Sequence, residues 1–182
     1  LIVVIGSVSL FFSYGYTGGP LPLAYRGLGE LFVILFFGFA AVLGSCFVQT
    51  GEWGKTEMWL LAIQCGLYSA VLIAINNLRD RDEDETTGKR TLAVRFGMKF
   101  ARYEIALMGT LAAILVIPVG VLSGCSALLS VTFALLLAIF HLTLSRRVFR
   151  TEPSAAYNVF LAWAALQLLS FAALTSIMFA LK

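Results

Sequence analysis

The chain has 182 residues, 60% hydrophobic and only 13% charged, with 15 Phe and a mean hydropathy of +0.92. Soluble domains carry roughly 25% charged residues, so this composition excludes a water-soluble globule and makes lipid the solvent. The net charge of +3 is explained by the loop asymmetry described below, and it calls for no nucleic-acid partner.

A helix needs roughly 20 apolar residues to cross about 30 Å of hydrocarbon. Six apolar runs follow one another, at residues 1–12, 30–48, 57–75, 103–122, 127–144 and 158–181. The first is too short to cross. With Leu1 at the start and no charged segment ahead of that run, it is not a signal peptide. Residue 1 is expected to lie mid-helix, with 1–182 the C-terminal part of a single longer domain. The runs are continuous and do not alternate with period two, which selects helices over a closed barrel. The expected fold is therefore all-α, a polytopic transmembrane helical bundle. Gly38, Gly44, Gly66, Gly109 and Gly120 are expected to serve close helix packing, although no run holds a GxxxG. Pro118 is expected to kink the fourth run.

Of the 13 basic residues, 11 fall after the first, third and fifth runs: Arg26; Arg79, Arg81, Lys89, Arg90, Arg95, Lys99 and Arg102; Arg146, Arg147 and Arg150. The other side keeps Lys55 and Lys182. The positive-inside rule places the long third loop, residues 76–102, in the cytoplasm of an integral cell-membrane protein. Cys46, Cys65 and Cys125 form no CxxC and read as small core residues. His141, one turn before Arg146, reads as interfacial, and Trp53, Trp59, Tyr103 and Tyr157 as the aromatic belt.

The third loop opens on NNLRDRDEDETTGKRT, residues 76–91, which packs five of the ten acidic residues into six positions. If the preceding helix continues, Asn76, Asp80 and Asp84 recur at i, i+4 and i+8 and share a face with Asn77. Two carboxylates and an amide at the mouth of a bundle suit Mg²⁺, which prefers one or two carboxylates with water and substrate phosphates. Asp82, Glu83 and Glu85 are expected to be solvated. Gly88 is a natural helix stop, and Lys89 and Arg90 just beyond it can meet a multiply anionic phosphate. An EF-hand reading of Asp80, Asp82 and Asp84 fails, because Glu85 stands where Gly is needed and Thr91 where Glu is needed. A solvated charged loop needs no such site, and spacing alone leaves that reading open.

The run NNLRDRDEDETTGKRTLAVRFG resembles the second aspartate motif of the UbiA superfamily of intramembrane prenyltransferases. Its form N-N-x-R-D-x-x-x-D-x-x-x-G-K-R-T-L-A-V-R-x-G looks like the 1,4-dihydroxy-2-naphthoate branch of that family, the MenA type. Upstream, Tyr25, Gly27, Leu28, Gly29 and Glu30 are similar to the family's Tyr-x-Gly-Leu-Gly-Glu/Asp core. The resemblance implies a nine-helix bundle of which helices four to nine lie here, capped by two aspartate-rich loops of which only the second is present. It implies Mg²⁺ bound by Asp80, Asp84 and Asn77. It also implies a polyprenyl diphosphate met by Lys89, Arg90, Asn76, Asn77 and Arg79, and 1,4-dihydroxy-2-naphthoate as acceptor, losing its carboxylate to give demethylmenaquinone. Some relatives carry Tyr-x-x-x-Lys near the fourth helix; here Pro20 stands four residues after Tyr16, so no lysine role transfers, and Arg26 is one candidate substitute.

Other classes make different predictions. A relative of the same family could act on 4-hydroxybenzoate or homogentisate. A transporter would place ionisable groups inside its spans, which Glu30, Glu57 and Glu104 at run ends do not supply. A structural subunit would not need the Asp pair. The topology is tested independently of the family: with Cys46, Cys65 and Cys125 replaced, a cysteine at Thr87 should react with an impermeant maleimide only from the cytoplasmic face, and one at Gly51 only from the other. Labelling of position 87 from outside would overturn the orientation.

Overall fold

The computed structural model describes residues 2–17 and 23–181. Helix α1, Ile2–Thr17, is followed by a short 3₁₀ turn, Leu23–Arg26. One long helix then runs from α2, Gly29–Val33, through a π-helical stretch, Ile34–Leu43, into α3, Gly44–Thr50. The rest is α4, Thr56–Arg79; α5, Arg81–Thr86; α6, Leu92–Ile114; α7, Val116–Leu122; α8, Ala127–Arg150; and α9, Tyr157–Ala180. Five stretches are long and apolar enough to cross a bilayer: Gly29–Thr50, Thr56–Arg79, Leu92–Leu122, Ala127–Arg150 and Tyr157–Ala180. The fold is the expected all-α bundle of an integral membrane protein, and no strand occurs among the described residues.

Local chemistry sets the helix ends. Thr91 and Ser126 cap α6 and α8, their hydroxyl oxygens accepting from Val94 N at 3.3 Å and Leu129 N at 3.2 Å, which satisfies donors the first turn cannot pair. Pro118 lacks the N–H that would bond Ile114, and the helix breaks at Leu115, between α6 and α7. A second bend lies at Gly97, which is non-helical with φ of 82°. The non-spanning segment is shorter than the expected 76–102, because α4 continues to Arg79 and α6 begins at Leu92.

Helix α4 is the spine, packed against the π-helical stretch, α6, α7 and α9. Where it crosses the π-helical stretch, a Cβ on Gly66 would lie 3.0 Å from the Ile34 backbone, so only glycine admits that approach. Two apolar layers flank α4. One holds Ala74, Ile75, Leu78, Ile105, Leu144 and Tyr157, and the other Tyr68, Val116, Val119, Leu137, Phe171 and Met178.

A polar cluster sits within this apolar bundle. His141 is fully buried, against the expectation that it is interfacial. Its Nδ1 lies 3.1 Å from Gln167 Oε1, and its Nε2 lies 3.1 Å from both the Ile105 carbonyl and Ser145 Oγ. Hydrocarbon offers no water, so the ring turns inward to partners on three helices. Tyr157 also leaves the expected belt: it is buried, and its hydroxyl donates to the carbonyls of Val148 at 3.2 Å and Thr151 at 3.0 Å. Trp53, Trp59 and Tyr103 are exposed, as a belt requires. The three cysteines are free, with Cys125 buried.

The imidazole of His141 occupies the space a side chain on Gly109 would need. Gly109→Val is therefore expected to destabilise the bundle by about 1–3 kcal/mol through overpacking. Gly44→Ala, which meets nothing within 4 Å, should be neutral or stabilising by up to about 1 kcal/mol. Unfolding midpoints in mixed micelles would check the pair, and equal midpoints would contradict the packing described.

Candidate functional site

The acidic stretch folds back on itself at the end of the spine helix. Helix α4 stops at Arg79, Asp80 adopts φ of −93° and ψ of 7°, and α5 restarts at Arg81. The i to i+4 spacing survives in the backbone, with Asp80 N donating to Asn76 O at 3.0 Å and Asp84 N to Asp80 O at 2.8 Å. The three side chains do not form the single ligand face expected of one continuous helix. Asn76 Nδ2 donates to Asp80 Oδ2 at 3.1 Å, whereas Asp84 turns to Lys89.

The turn to Lys89 follows from Gly88. Gly88, at φ of 76°, takes the left-handed conformation after α5. Lys89 N donates to Asp84 O at 2.8 Å and Gly88 N to Glu85 O at 3.3 Å, the paired bonds of a Schellman ending. That geometry carries the Lys89 ammonium over Asp84, with Nζ 3.0 Å from Oδ1 and 3.1 Å from Oδ2. Asp84 is buried and Lys89 partly so. A second close approach fixes the far wall: Gly27, at φ of 69°, has space for no side chain, since a Cβ would fall 2.8 Å from Arg90 O, and Arg90 N donates to Tyr25 O at 3.0 Å.

Between these segments lies a cavity of about 440 Å³, lined by Tyr25, Gly27, Gly29, Glu30, Ile73, Asn76, Asn77, Glu83, Asp84, Thr87, Lys89 and Thr91. Its volume suits a small ligand. Of the expected site residues, Asn76, Asn77, Asp84 and Lys89 meet here. Asp80, Arg79 and Arg90 are not among the described lining residues. Arg79 grips both Asp80 oxygens, Nε to Oδ1 at 2.6 Å and Nη2 to Oδ2 at 2.8 Å. It also donates to Asn76 Oδ1 at 2.9 Å and to Asn158 Oδ1 on α9 at 2.6 Å. Arg79 thus acts as a clasp between α4, Asp80 and α9. Arg90 contributes through its backbone, and its side chain is exposed. Arg26 is exposed too, while Pro20 and the Tyr16 side chain lie outside the described residues.

Of the lining residues outside the expected site set, Glu83, Ile73 and Glu30 bear most on the chemistry. Glu83, expected to be solvated, faces the cavity while remaining exposed. Ile73 lines both this cavity and a second, apolar groove of about 660 Å³ bounded by Leu10, Phe12, Phe32, Phe36, Phe37 and Ala40 among others. Glu30 sits at the end of its span, as expected, but is turned inward. It is buried, and its Oε1 accepts from Asn77 Nδ2 at 2.8 Å. The available signal was an acid directly before an apolar run, and the partner is 47 residues away.

The donor set is all oxygen on the acceptor side, which fits a hard divalent cation such as Mg²⁺. Glu30, Glu83 and Asp84 outnumber Lys89 on the cavity wall, so a cation there is electrostatically favoured. Among the described residues no three His, Cys, Asp or Glu side chains converge on one point. An ion held there would take only part of its coordination from this chain's carboxylates, with water and ligand oxygens as the remainder.

A sequence model described as "UbiA prenyltransferase family" matches residues 1–179. The chain is 39% identical over 111 residues to a 1,4-dihydroxy-2-naphthoate octaprenyltransferase of Escherichia coli, covering 60% of this chain and 36% of that protein. It is 36% identical over 132 residues to the protein of that name in Bacillus subtilis, covering 72% and 42%, and 37% identical over 113 residues to the one in Mycobacterium tuberculosis, covering 61% and 37%. The chain thus matches well under half the length of each of these relatives. No solved structure matches it. With the family match running from the first helix almost to the last residue, over a helical bundle that carries the aspartate motif at its mouth, the chain belongs to the UbiA prenyltransferase family.

Proposed function

We propose that the intact protein transfers a polyprenyl group from polyprenyl diphosphate to 1,4-dihydroxy-2-naphthoate, with loss of the carboxylate, giving demethylmenaquinone. The observation that carries this reading is the junction at Ile73. A polar cavity able to take a diphosphate head opens beside an apolar groove able to take an isoprenoid tail. The relatives that act, by name, on 1,4-dihydroxy-2-naphthoate support the choice of acceptor.

In this reading Asp84, Asp80 and the Asn77 amide oxygen hold Mg²⁺. Mg²⁺ bound there would supply charge neutralisation for a leaving diphosphate. Lys89 has three N–H donors and directs two at Asp84, which leaves one for a phosphate oxygen. Asn76 and Asn77 offer amide groups to the same head. Arg79 keeps Asp80 in register and is moved only if Asp80 takes up the ion, while Arg90 adds charge at the rim. The Phe-lined groove excludes water from the tail and can stabilise the allylic cation through ring faces. The site faces the cytoplasm, where a donor whose diphosphate cannot cross hydrocarbon is made.

Asp84→Asn and Asp80→Asn in the intact protein are each expected to lower prenyl transfer by about 10²–10³. Asp82→Ala should leave most of it, because Asp82 is exposed and, among the described residues, bridges to Arg81 alone. Lys89→Ala should raise the apparent KM for the diphosphate donor more than that for the acceptor. Membrane assays with added Mg²⁺ and radiolabelled donor would check these; equal loss at all three Asp, or a Lys89 effect confined to the acceptor, would contradict the reading.

A further inference from the structure

The cavity has two buried carboxylates, and they are satisfied unequally. Asp84 has Lys89 on both oxygens. Glu30, 4% exposed, has only the Asn77 amide on Oε1, and its Oε2 is buried with no hydrogen-bond partner. Among the described residues no cation bridges to it. A buried oxygen without a donor is costly, more so on a carboxylate, so a group that lines a binding cavity in this state is matched to a donor that arrives with the ligand.

Position narrows the identity of that donor. Glu30 lies on α2 between the polar cavity it lines and Phe32 and Val33, which line the apolar groove from the same helix. It therefore stands at the level where head and tail of an amphipathic ligand would join. Among the described residues no three acidic or metal-binding side chains converge, so Glu30 completes no all-protein ion cage. A diphosphate offers acceptors and negative charge, which would worsen its position. A neutral aromatic hydroxyl offers the missing O–H.

We propose that Glu30 binds the aromatic acceptor, its free carboxylate oxygen accepting a hydrogen bond from a ring hydroxyl at the junction of cavity and groove. This rests on the aromatic-acceptor reading above and adds the residue that recognises the ring. The bond orients the ring edge toward the head of the groove and, by polarising O–H, enriches the ring carbons in electron density. Asn77 acts as a positioning residue, holding the other oxygen.

Glu30→Gln keeps an oxygen for Asn77 and replaces the free oxygen by an amide N–H₂, which cannot accept. The intact protein in nanodiscs, with no donor present, is titrated with 4-hydroxy-2-naphthoate and with 2-naphthoate, which lacks the hydroxyl. The wild type is expected to prefer the hydroxylated probe by about tenfold or more, as for a hydrogen bond to a charged group. Glu30→Gln should abolish the preference with the affinity for 2-naphthoate unchanged, and Glu30→Asp should retain part of it. A preference that persists in Glu30→Gln, or is lost equally in Glu30→Asp, overturns the assignment. A wild type that binds neither probe overturns the bicyclic acceptor itself, and the role of Glu30 with it.

Discussion

Inside hydrocarbon a polar group can be satisfied only by another part of the protein, and this constraint organises the whole bundle around α4. Gln64 donates to Ala112 O at 2.7 Å, Asn77 to Glu30 at 2.8 Å, and Asn76 to Asp80 at 3.1 Å. Each bond ties the spine to a different neighbour or to the loop at its end. Away from α4, His141 and Gln167 do the same between α8 and α9. The polar atoms that remain unpaired are then informative, because the fold has few ways to tolerate them. Glu30 Oε2 is one, and it belongs to the lining of the cavity.

The same constraint explains why the charged loop is built as a folded cap. Asp80 and Asp84 are each met by a cation one or five residues away, so the loop carries its own counter-charges. For Asp84 the pairing follows from the left-handed Gly88, which reverses the chain within two residues. For Asp80 it follows from the break after Arg79, which lets adjacent side chains meet as they would not on a regular helix. In the proposed reaction these cations stabilise the carboxylates before an ion and a diphosphate arrive, and the exchange of partners at Asp80 and Lys89 would accompany binding.

Sequence carried the elements well because hydrocarbon leaves a coarse signal: length and continuity of apolar runs set the spans, Gly88 the end of α5, and Pro118 the break at Leu115. It carried the site in part. Asn76, Asn77, Asp84 and Lys89 line one cavity. The helical-face argument misplaced Asp80, since periodicity cannot show that Arg79 will turn back upon it. Glu30 with Asn77, and His141 with Gln167, are pairs 47 and 26 residues apart. Such pairs are set by helix packing, which no local pattern encodes. The shared role of Ile73 is of the same kind, an ordinary apolar residue in an apolar run until the packing places it between two cavities.

That shared wall is the centre of the proposed reading, in which the polar cavity and the apolar groove serve as the head and tail parts of one amphipathic site. The most direct measurement compares binding of inorganic diphosphate and of a non-hydrolysable polyprenyl diphosphate, with Mg²⁺ present, to the wild type and to Ile73→Trp in nanodiscs. The larger ring should block the passage while leaving the head cavity's polar groups in place. The account predicts that Ile73→Trp weakens the polyprenyl ligand by about tenfold or more, a loss of one or two apolar contacts' worth of burial, and changes inorganic diphosphate by less than about twofold. Equal weakening of both ligands, or of neither, would contradict it.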